Sequence, residues 1–369
     1  MMPAVFAKFG VKPVINACGI YTDLGGSRLS PTVWAAMEEM NRHFVRIPDL
    51  LDHSGAMIAG MLGAEAARVT PGAAAAIALG TCACIAGMDG TAWERLPDTT
   101  GLKSEVIIQR GHRYKYDRQV AMTGAQLVEV DGEQIEAAIG PRTGAIMFPA
   151  HRDGQRGTVP LTDVIALAKR YGIPTLVDAA YLNYPAEIMR RYTAMGADLV
   201  CYSAKYFLGP NSGGFIMGRK DLIAAVAGID FTRYESGKYL TYGRPFKLDR
   251  HTIVGTVVAL EEWLAMDHEA RWKSFARRAD ELAQLLRDVR GLSLQPMHFT
   301  MEERLEQGQV NCLVIRADDV QRIAGRLADG TPSIAAIVQD NALVVAMDTV
   351  EDEEVPILGD RIRLAASTA

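Results

Sequence analysis

Two side chains carry the chemistry most legible in this sequence. Asp178 closes the apolar run Leu176-Val177-Asp178, and Lys205 follows 27 positions later in Cys201-Tyr202-Ser203-Ala204-Lys205. A lysine amine forms a Schiff base with an aldehyde, and a carboxylate keeps a pyridine nitrogen protonated, so that the ring takes up electrons from a substrate carbanion. That is what pyridoxal 5'-phosphate (PLP) asks of a protein. Each residue alone has a plainer explanation, Asp178 as a helix N-cap and Lys205 as a solvated loop lysine. Placed together at the ends of two apolar runs separated by a helical stretch, they are more specific.

Further residues gather around this pair in the sequence. In Thr70-Pro71-Gly72-Ala73-Ala74, a glycine turn opens a strong helix former, and bare N–H groups at a helix start make a seat for a phosphate. Alone, that stretch reads better as a capped helix with small residues for close packing. Beside Asp178 and Lys205 it reads as the phosphate cradle, with Gly72, Ala73 and Ala74 as cofactor ligands. Ala180 is small enough to lie beneath a flat ring, and Ser203 can bond a phosphate oxygen. Gly209-Pro210-Asn211-Ser212-Gly213-Gly214 makes a tight turn into the next strand.

His112 follows an apolar run and is a candidate to stack on the cofactor ring and to move protons, against an equal claim as a histidine satisfied by ordinary hydrogen bonds. Arg152, after His151 at another strand end, is a candidate ligand for a substrate carboxylate or phosphate, because a planar guanidinium binds such anions in bidentate fashion. Arg244 and Lys247 are weaker candidates for the same work, with surface cations as the alternative.

The elements that must position these residues follow an α/β pattern. Helical stretches alternate with short apolar strands at 106–109, 145–148, 175–178, 199–203 and 215–218, which predicts a mostly parallel sheet with ligands beyond the strands' carboxyl ends. Residues 1–50 read as an N-terminal arm that packs on another part of the protein or on a second subunit, and 51–250 as a large cofactor-binding domain. Residues 251–369 read as a smaller C-terminal α/β domain, with a helical run over 251–289 and strands near Leu292 and at 312–315, 343–346 and 361–364.

The chain has 369 residues, 49% of them hydrophobic, with a net charge of −5 and mean hydropathy near zero. That is enough for two cores. No basic block points to nucleic acid and no apolar run is long enough to span a membrane, so a small-molecule substrate is the expected partner. The five cysteines (Cys18, Cys82, Cys84, Cys201, Cys312) lie in apolar contexts with no CxxC pair. They read as reduced core thiols of a cytoplasmic protein, and no metal-ligand set is read.

At these motifs the chain resembles the selenocysteine-synthase-like (L-seryl-tRNA selenium transferase-related) family of fold-type I PLP-dependent enzymes, in its D-glucosaminate-6-phosphate ammonia-lyase branch. The likeness runs through Val14-Ile15-Asn16-Ala17, Leu24-Gly25-Gly26-Ser27, Gly63-Ala64-Glu65-Ala66-Ala67, Thr70-Pro71-Gly72-Ala73, and from Gly196-Ala197-Asp198 to Gly218-Arg219-Lys220. It covers most of residues 10–255. The resemblance implies an aspartate-aminotransferase-like fold, a Schiff base at Lys205, reactions that begin at the substrate α-carbon, and a homodimer or larger homo-oligomer. Ser203-Ala204-Lys205, and Leu208 before Gly209-Pro210, depart from the Ser-Gly-Gly-Lys and the arginine of the ammonia-lyase type. An acidic balance argues against a tRNA substrate.

The expected activity is that of a PLP-dependent lyase on a small amino acid, β-hydroxylated or phosphorylated, giving a keto acid and ammonia. An aldolase, racemase or aminotransferase follows from the same carbanion, and a non-catalytic PLP-fold binding protein is the reading from another class. A dinucleotide-binding enzyme is disfavoured, because no GxGxxG follows the first strand.

Overall fold

The computed structural model describes residues 4–235 and 237–367. They divide into two compact units: Arg28–Ala265, and the described residues of Met1–Ser27 with Met266–Ala369. The sequence-based boundaries at 50/51 and 250/251 are therefore corrected. Residues 4–27 do not form a separate arm with residues 28–50. They belong to the smaller unit, where Val14–Ala17 forms strand β1.

The larger unit is built on a seven-stranded sheet of β2 (Ala66–Thr70), β3 (Glu105–Gln109), β4 (Gln126–Val130), β5 (Thr143–Pro149), β6 (Thr175–Asp178), β7 (Leu199–Ser203) and β8 (Gly214–Gly218). Its order is β2-β8-β7-β6-β5-β3-β4, parallel throughout except where β8 pairs antiparallel with β7 and β2. Strands β5 to β8 are buried along their whole length, which is why they read as continuous apolar runs rather than alternating ones.

The helix Gly72–Ala86 crosses this sheet with twelve of its fifteen residues buried. Its alanines and glycines permit a close approach. A Cβ at Gly80 would stand 2.8 Å from Ile216 Cδ1 and 3.0 Å from Leu176 Cδ1. A side chain there would overpack the sheet, at a cost of about 1–3 kcal/mol. The alanine-rich stretch thus owes its composition to packing against β6 and β8, and its first turn is delivered to the strand ends as a result.

The smaller unit joins β1 to β9 (Ser293–Phe299), β10 (Leu305–Glu306), β11 (Cys312–Arg316), β12 (Ser333–Gln339) and β13 (Ala342–Ala346), in the order β1-β12-β13-β11-β9-β10. The helices His268–Leu286, Val320–Asp329 and Glu354–Ser367 contribute Phe275, Ala279, Leu282, Ile323, Leu327, Leu358 and Ile362 to its core. The strand expected at 361–364 is a correction, because those residues lie inside the last helix. Ile362 and Ala365 face the core at helical spacing there, a period that four residues are too few to reveal. No helix among the described residues is long and apolar enough to cross a membrane.

Candidate active site

The residues that bring Asp178 and Lys205 together are polar groups at both ends of β6 and β7. At the entry ends, Asp198 Oδ2 accepts from the Thr175 N–H at 2.8 Å and from its hydroxyl at 3.0 Å, while the Asp198 N–H donates to Thr175 Oγ1 at 3.0 Å. This clamp fixes the parallel register in which Asp178 lies opposite Cys201. Beyond the exit ends the pairing continues, and the Ser203 N–H donates to the Ala180 carbonyl at 3.0 Å. Lys205, two residues further on, therefore emerges at the same sheet edge as Asp178.

Both charged groups are held inside the protein, Asp178 at 3% exposure and Lys205 at 8%. Asp178 Oδ1 accepts from the Ala180 N–H at 3.0 Å, and Oδ2 accepts from the Tyr114 hydroxyl. Burial pushes its pKa up, and the two donors only partly offset that. A buried carboxylate held by neutral donors has capacity left for a cation, and a pyridinium N–H is one. Lys205 sits in the short 3-10 helix Ala204–Phe207, with its Nζ 4.7 Å from the centre of the Tyr206 ring. Leu208, at φ +61°, closes that turn in the left-handed region, which costs a non-glycine residue on the order of 1 kcal/mol.

The helix start beside this pair suits a phosphate. The helix Gly72–Ala86 follows Pro71 with no side-chain cap on its first N–H groups, so the positive end of its dipole is left for another acceptor. Gly72 adopts φ +85°, and a Cβ on Gly214 would lie 2.8 Å from Gly72 Cα and 2.5 Å from the Tyr202 carbonyl. The first residue of β8 must therefore be glycine for the helix start to lie against it. Ala73 is buried and Ala74 half-buried. Ser203, at 8% exposure, ends β7 immediately before Ala204, whose N–H donates to Gly213 at 2.9 Å. Small residues, bare N–H groups, a buried carboxylate and a buried amine together fit PLP.

The His112 ring is fully buried and packs edge-on against Phe148, with centroids 4.6 Å apart and planes at 77°, and its Nε2 has no hydrogen-bond partner among the described residues. Its Nδ1 lies 3.3 Å from Gln109 Nε2, and Gln109 is in turn locked to Val159 by bonds of 2.9 and 2.7 Å. Burial lowers the imidazole pKa.

The group that reaches Asp178 from this loop is Tyr114, two residues on, and sequence reasoning missed it. Tyr114 begins an arc of rings. Its centroid lies 5.3 Å from His151, His151 lies 5.5 Å from Tyr181, and Tyr181 lies 5.9 Å from Tyr206. The arc runs from the carboxylate's partner to the amine's neighbour. Its four members come from four different segments, those that follow β3, β5, β6 and β7, so no local spacing announces it.

Of the two arginines, Arg152 packs against the same loop. Its Nη1 donates to the Gly111 carbonyl at 3.4 Å, and its Nε is buried with no hydrogen-bond partner among the described residues. An unanswered guanidinium N–H suits an arriving anion. Arg244 is not brought to the site. It pairs with Glu235 at 2.9 and 3.1 Å and lies 5.8 Å over Tyr234.

Known proteins share this fold. The Aminotransferase class-V family model matches residues 117–329, more than half of the chain. A 5'-C-glycyluridine monooxygenase-decarboxylase from a Streptomyces species is 34% identical over 301 residues, covering 78% of this chain and 72% of that protein. D-Glucosaminate-6-phosphate ammonia lyase of Salmonella typhimurium is 33% identical over 304 residues, covering 79% and 78%. A solved structure of D-glucosaminate-6-phosphate ammonia-lyase superposes with a TM-score of 0.85 at 28% identity, over 99% of both chains. The chain belongs to the class-V aminotransferase family, with the fold-type I architecture of PLP-dependent enzymes.

Proposed function

We propose that this protein is a PLP-dependent lyase that acts at the α-carbon of a small amino acid bearing a β-hydroxyl, with or without a phosphate, and releases a keto acid and ammonia. The observation that carries the reading is the convergence of buried Asp178 and buried Lys205 at one sheet edge, beside the uncapped start of the helix Gly72–Ala86. The ammonia-lyase relative supports the reaction class.

When bound, PLP supplies an aldehyde that captures amines and a ring that delocalises charge from the α-carbon. The rest falls to the protein. The first N–H groups of the helix, with Ser203, hold the phosphate, and Asp178 faces the ring nitrogen. Ala180 leaves room for the ring. Lys205 tethers the aldehyde carbon and, once a substrate amine displaces it, takes the α-proton on Nζ. Arg152 meets the substrate's anionic group. Loss of the β-hydroxyl with that α-proton as water, followed by return of Lys205 to the aldehyde carbon, frees an enamine, which takes up water to yield the keto acid and ammonia.

The reading carries a homodimer or larger homo-oligomer and a cytoplasmic setting, supported by five free cysteines. A second reading has one specific support. The relative named as a monooxygenase-decarboxylase is as similar as the lyase, so the same site is proposed to break the bond to the carboxylate, with O2 as oxidant, on the right substrate. Two measurements decide. Purified protein mixed with PLP turns yellow, and borohydride fixes the cofactor to the peptide containing Lys205. A screen of D- and L-amino acids, with and without phosphate, is then scored for ammonia, keto acid, aldehyde, CO2 and O2 uptake. A colourless protein indifferent to PLP overturns the whole reading, while CO2 release with O2 uptake and no O2-independent ammonia replaces the lyase with the oxygenase.

A further inference from the structure

The phenol on Asp178 has a support of its own. Tyr114 donates its hydroxyl to Asp178 Oδ2, and its backbone N–H donates to Asp117 Oδ2 at 3.0 Å. Asp117 is 3% exposed and is gripped by Arg113, with Nε at 2.5 Å and Nη2 at 3.3 Å, and Arg113 also pairs with Glu129 on β4. The Tyr114 ring packs against the core beneath the sheet edge, with Tyr116 at 6.0 Å and His151 at 5.3 Å. A loop residue anchored through its backbone, its ring and its hydroxyl has little freedom left. Only the hydroxyl ends on Asp178; the backbone anchor on Asp117 and the packed ring hold that hydroxyl in place.

We infer that Tyr114 is a positioning residue for the cofactor: its hydroxyl on Oδ2, with the Ala180 N–H on Oδ1, sets the plane of the Asp178 carboxylate so that a lone pair is presented to the ring nitrogen of PLP. The inference rests on the PLP reading above. A carboxylate with one donor swings about its Cβ–Cγ bond, whereas one donor on each oxygen fixes that torsion. Burial and the charge of Asp178 raise the phenol's pKa far above its ordinary value, so Tyr114 remains a donor at any working pH. Each Asp178 oxygen keeps a further lone pair, so the ring N–H adds to the bonds present without replacing either of them.

The test separates action through Asp178 from simple packing. PLP is compared with its deaza analogue, in which a C–H replaces the ring nitrogen and nothing can be donated to Asp178. Tyr114→Phe keeps the ring and removes only the hydroxyl. The expected result is a loss of PLP affinity of about tenfold, the scale of one hydrogen bond to a charged acceptor, with deaza-analogue affinity unchanged. The loss should also vanish in an Asp178→Asn background, and the pH at which the lysine-bound cofactor changes its absorbance should move in Tyr114→Phe.

Equal loss for both cofactors, or none for either, overturns the inference while leaving the PLP reading intact. Uptake of neither cofactor by the wild type overturns the PLP reading, and this inference with it. Should Tyr114→Phe fail to fold, Asp117→Asn, which weakens the anchor on the Tyr114 N–H, is expected to show the same PLP-only loss to a smaller degree. Equal loss for both cofactors there counts against the inference in the same way.

Discussion

Lys205 holds its side-chain nitrogen 4.7 Å from the centre of the adjoining Tyr206 ring, and the short helix that carries both is closed by Leu208 in a left-handed conformation. The amine is thus pinned at one end of the aromatic arc whose other end rests on Asp178. Lys205→Ala is expected to bind PLP without covalent attachment, so borohydride no longer labels the peptide. Exchange of the substrate α-proton with deuterated water should fall on the order of 10²–10⁴-fold, the usual contribution of a positioned base. Exchange at the wild-type rate would remove the lysine from that role.

Asp178 gives two opposite effects in one variant. Its folded pKa is raised by burial, so folding of the cofactor-free protein disfavours the charged form relative to the unfolded chain. Its contribution to stability is therefore full below the ordinary carboxylate pKa and is lost as pH rises through the raised one. Asp178→Asn should accordingly raise the melting temperature of the cofactor-free protein at pH 7, with the gain shrinking toward pH 4. Turnover should drop by about 10²–10³-fold, the scale of one preorganised electrostatic partner. A variant that melts no higher at pH 7, or that retains full activity, contradicts the burial argument or the electron-sink role respectively.

Gly214 is the position where the phosphate seat can be disturbed without touching a proposed ligand. An added Cβ would meet Gly72 Cα at 2.8 Å and the Tyr202 carbonyl at 2.5 Å, both backbone atoms that cannot turn aside. Gly214→Ala is expected to cost about 1–3 kcal/mol in urea unfolding. It should also weaken PLP binding more than pyridoxal binding, because only the former needs the helix start. An equal effect on both would mean that the phosphate sits elsewhere.

His112 should behave as a core residue. His112→Ala is expected to cost about 2–4 kcal/mol through the cavity left against Phe148, with PLP affinity changed less than threefold. Its folded pKa is lowered, so its contribution is present above the ordinary histidine pKa near 6.5 and is lost as pH falls below it. The wild type should therefore show an acid-side loss of stability below about pH 6 that is smaller in the variant. A large fall in PLP affinity at unchanged stability would return the ring to the cofactor.

The strand ends were legible because β5 to β8 are buried on both faces and announce themselves as apolar runs, two of which, β6 and β7, close on a polar residue. Asp178 and Lys205 stand at those ends. His112 and Tyr114 lie between β3 and β4, where no period tells which of two neighbouring rings reaches Asp178, and Tyr114 does so in the structure. β1 and β12 were missed because their pairing joins residues more than three hundred positions apart, and β1 is only four residues long. The last helix was misread for lack of a window wide enough to show its turn.

Nine of the fifteen residues of the helix Gly72–Ala86 are glycine or alanine, and twelve are buried. A rod packed so closely onto β6 and β8 cannot re-aim its first turn unless those strands move with it. The phosphate socket is thus cast in the same piece as the tips that carry Asp178 and Lys205, and a ligand finds it ready-made. Filling it should cost little ordering, so amide exchange along this helix ought to be equally slow before and after PLP is added.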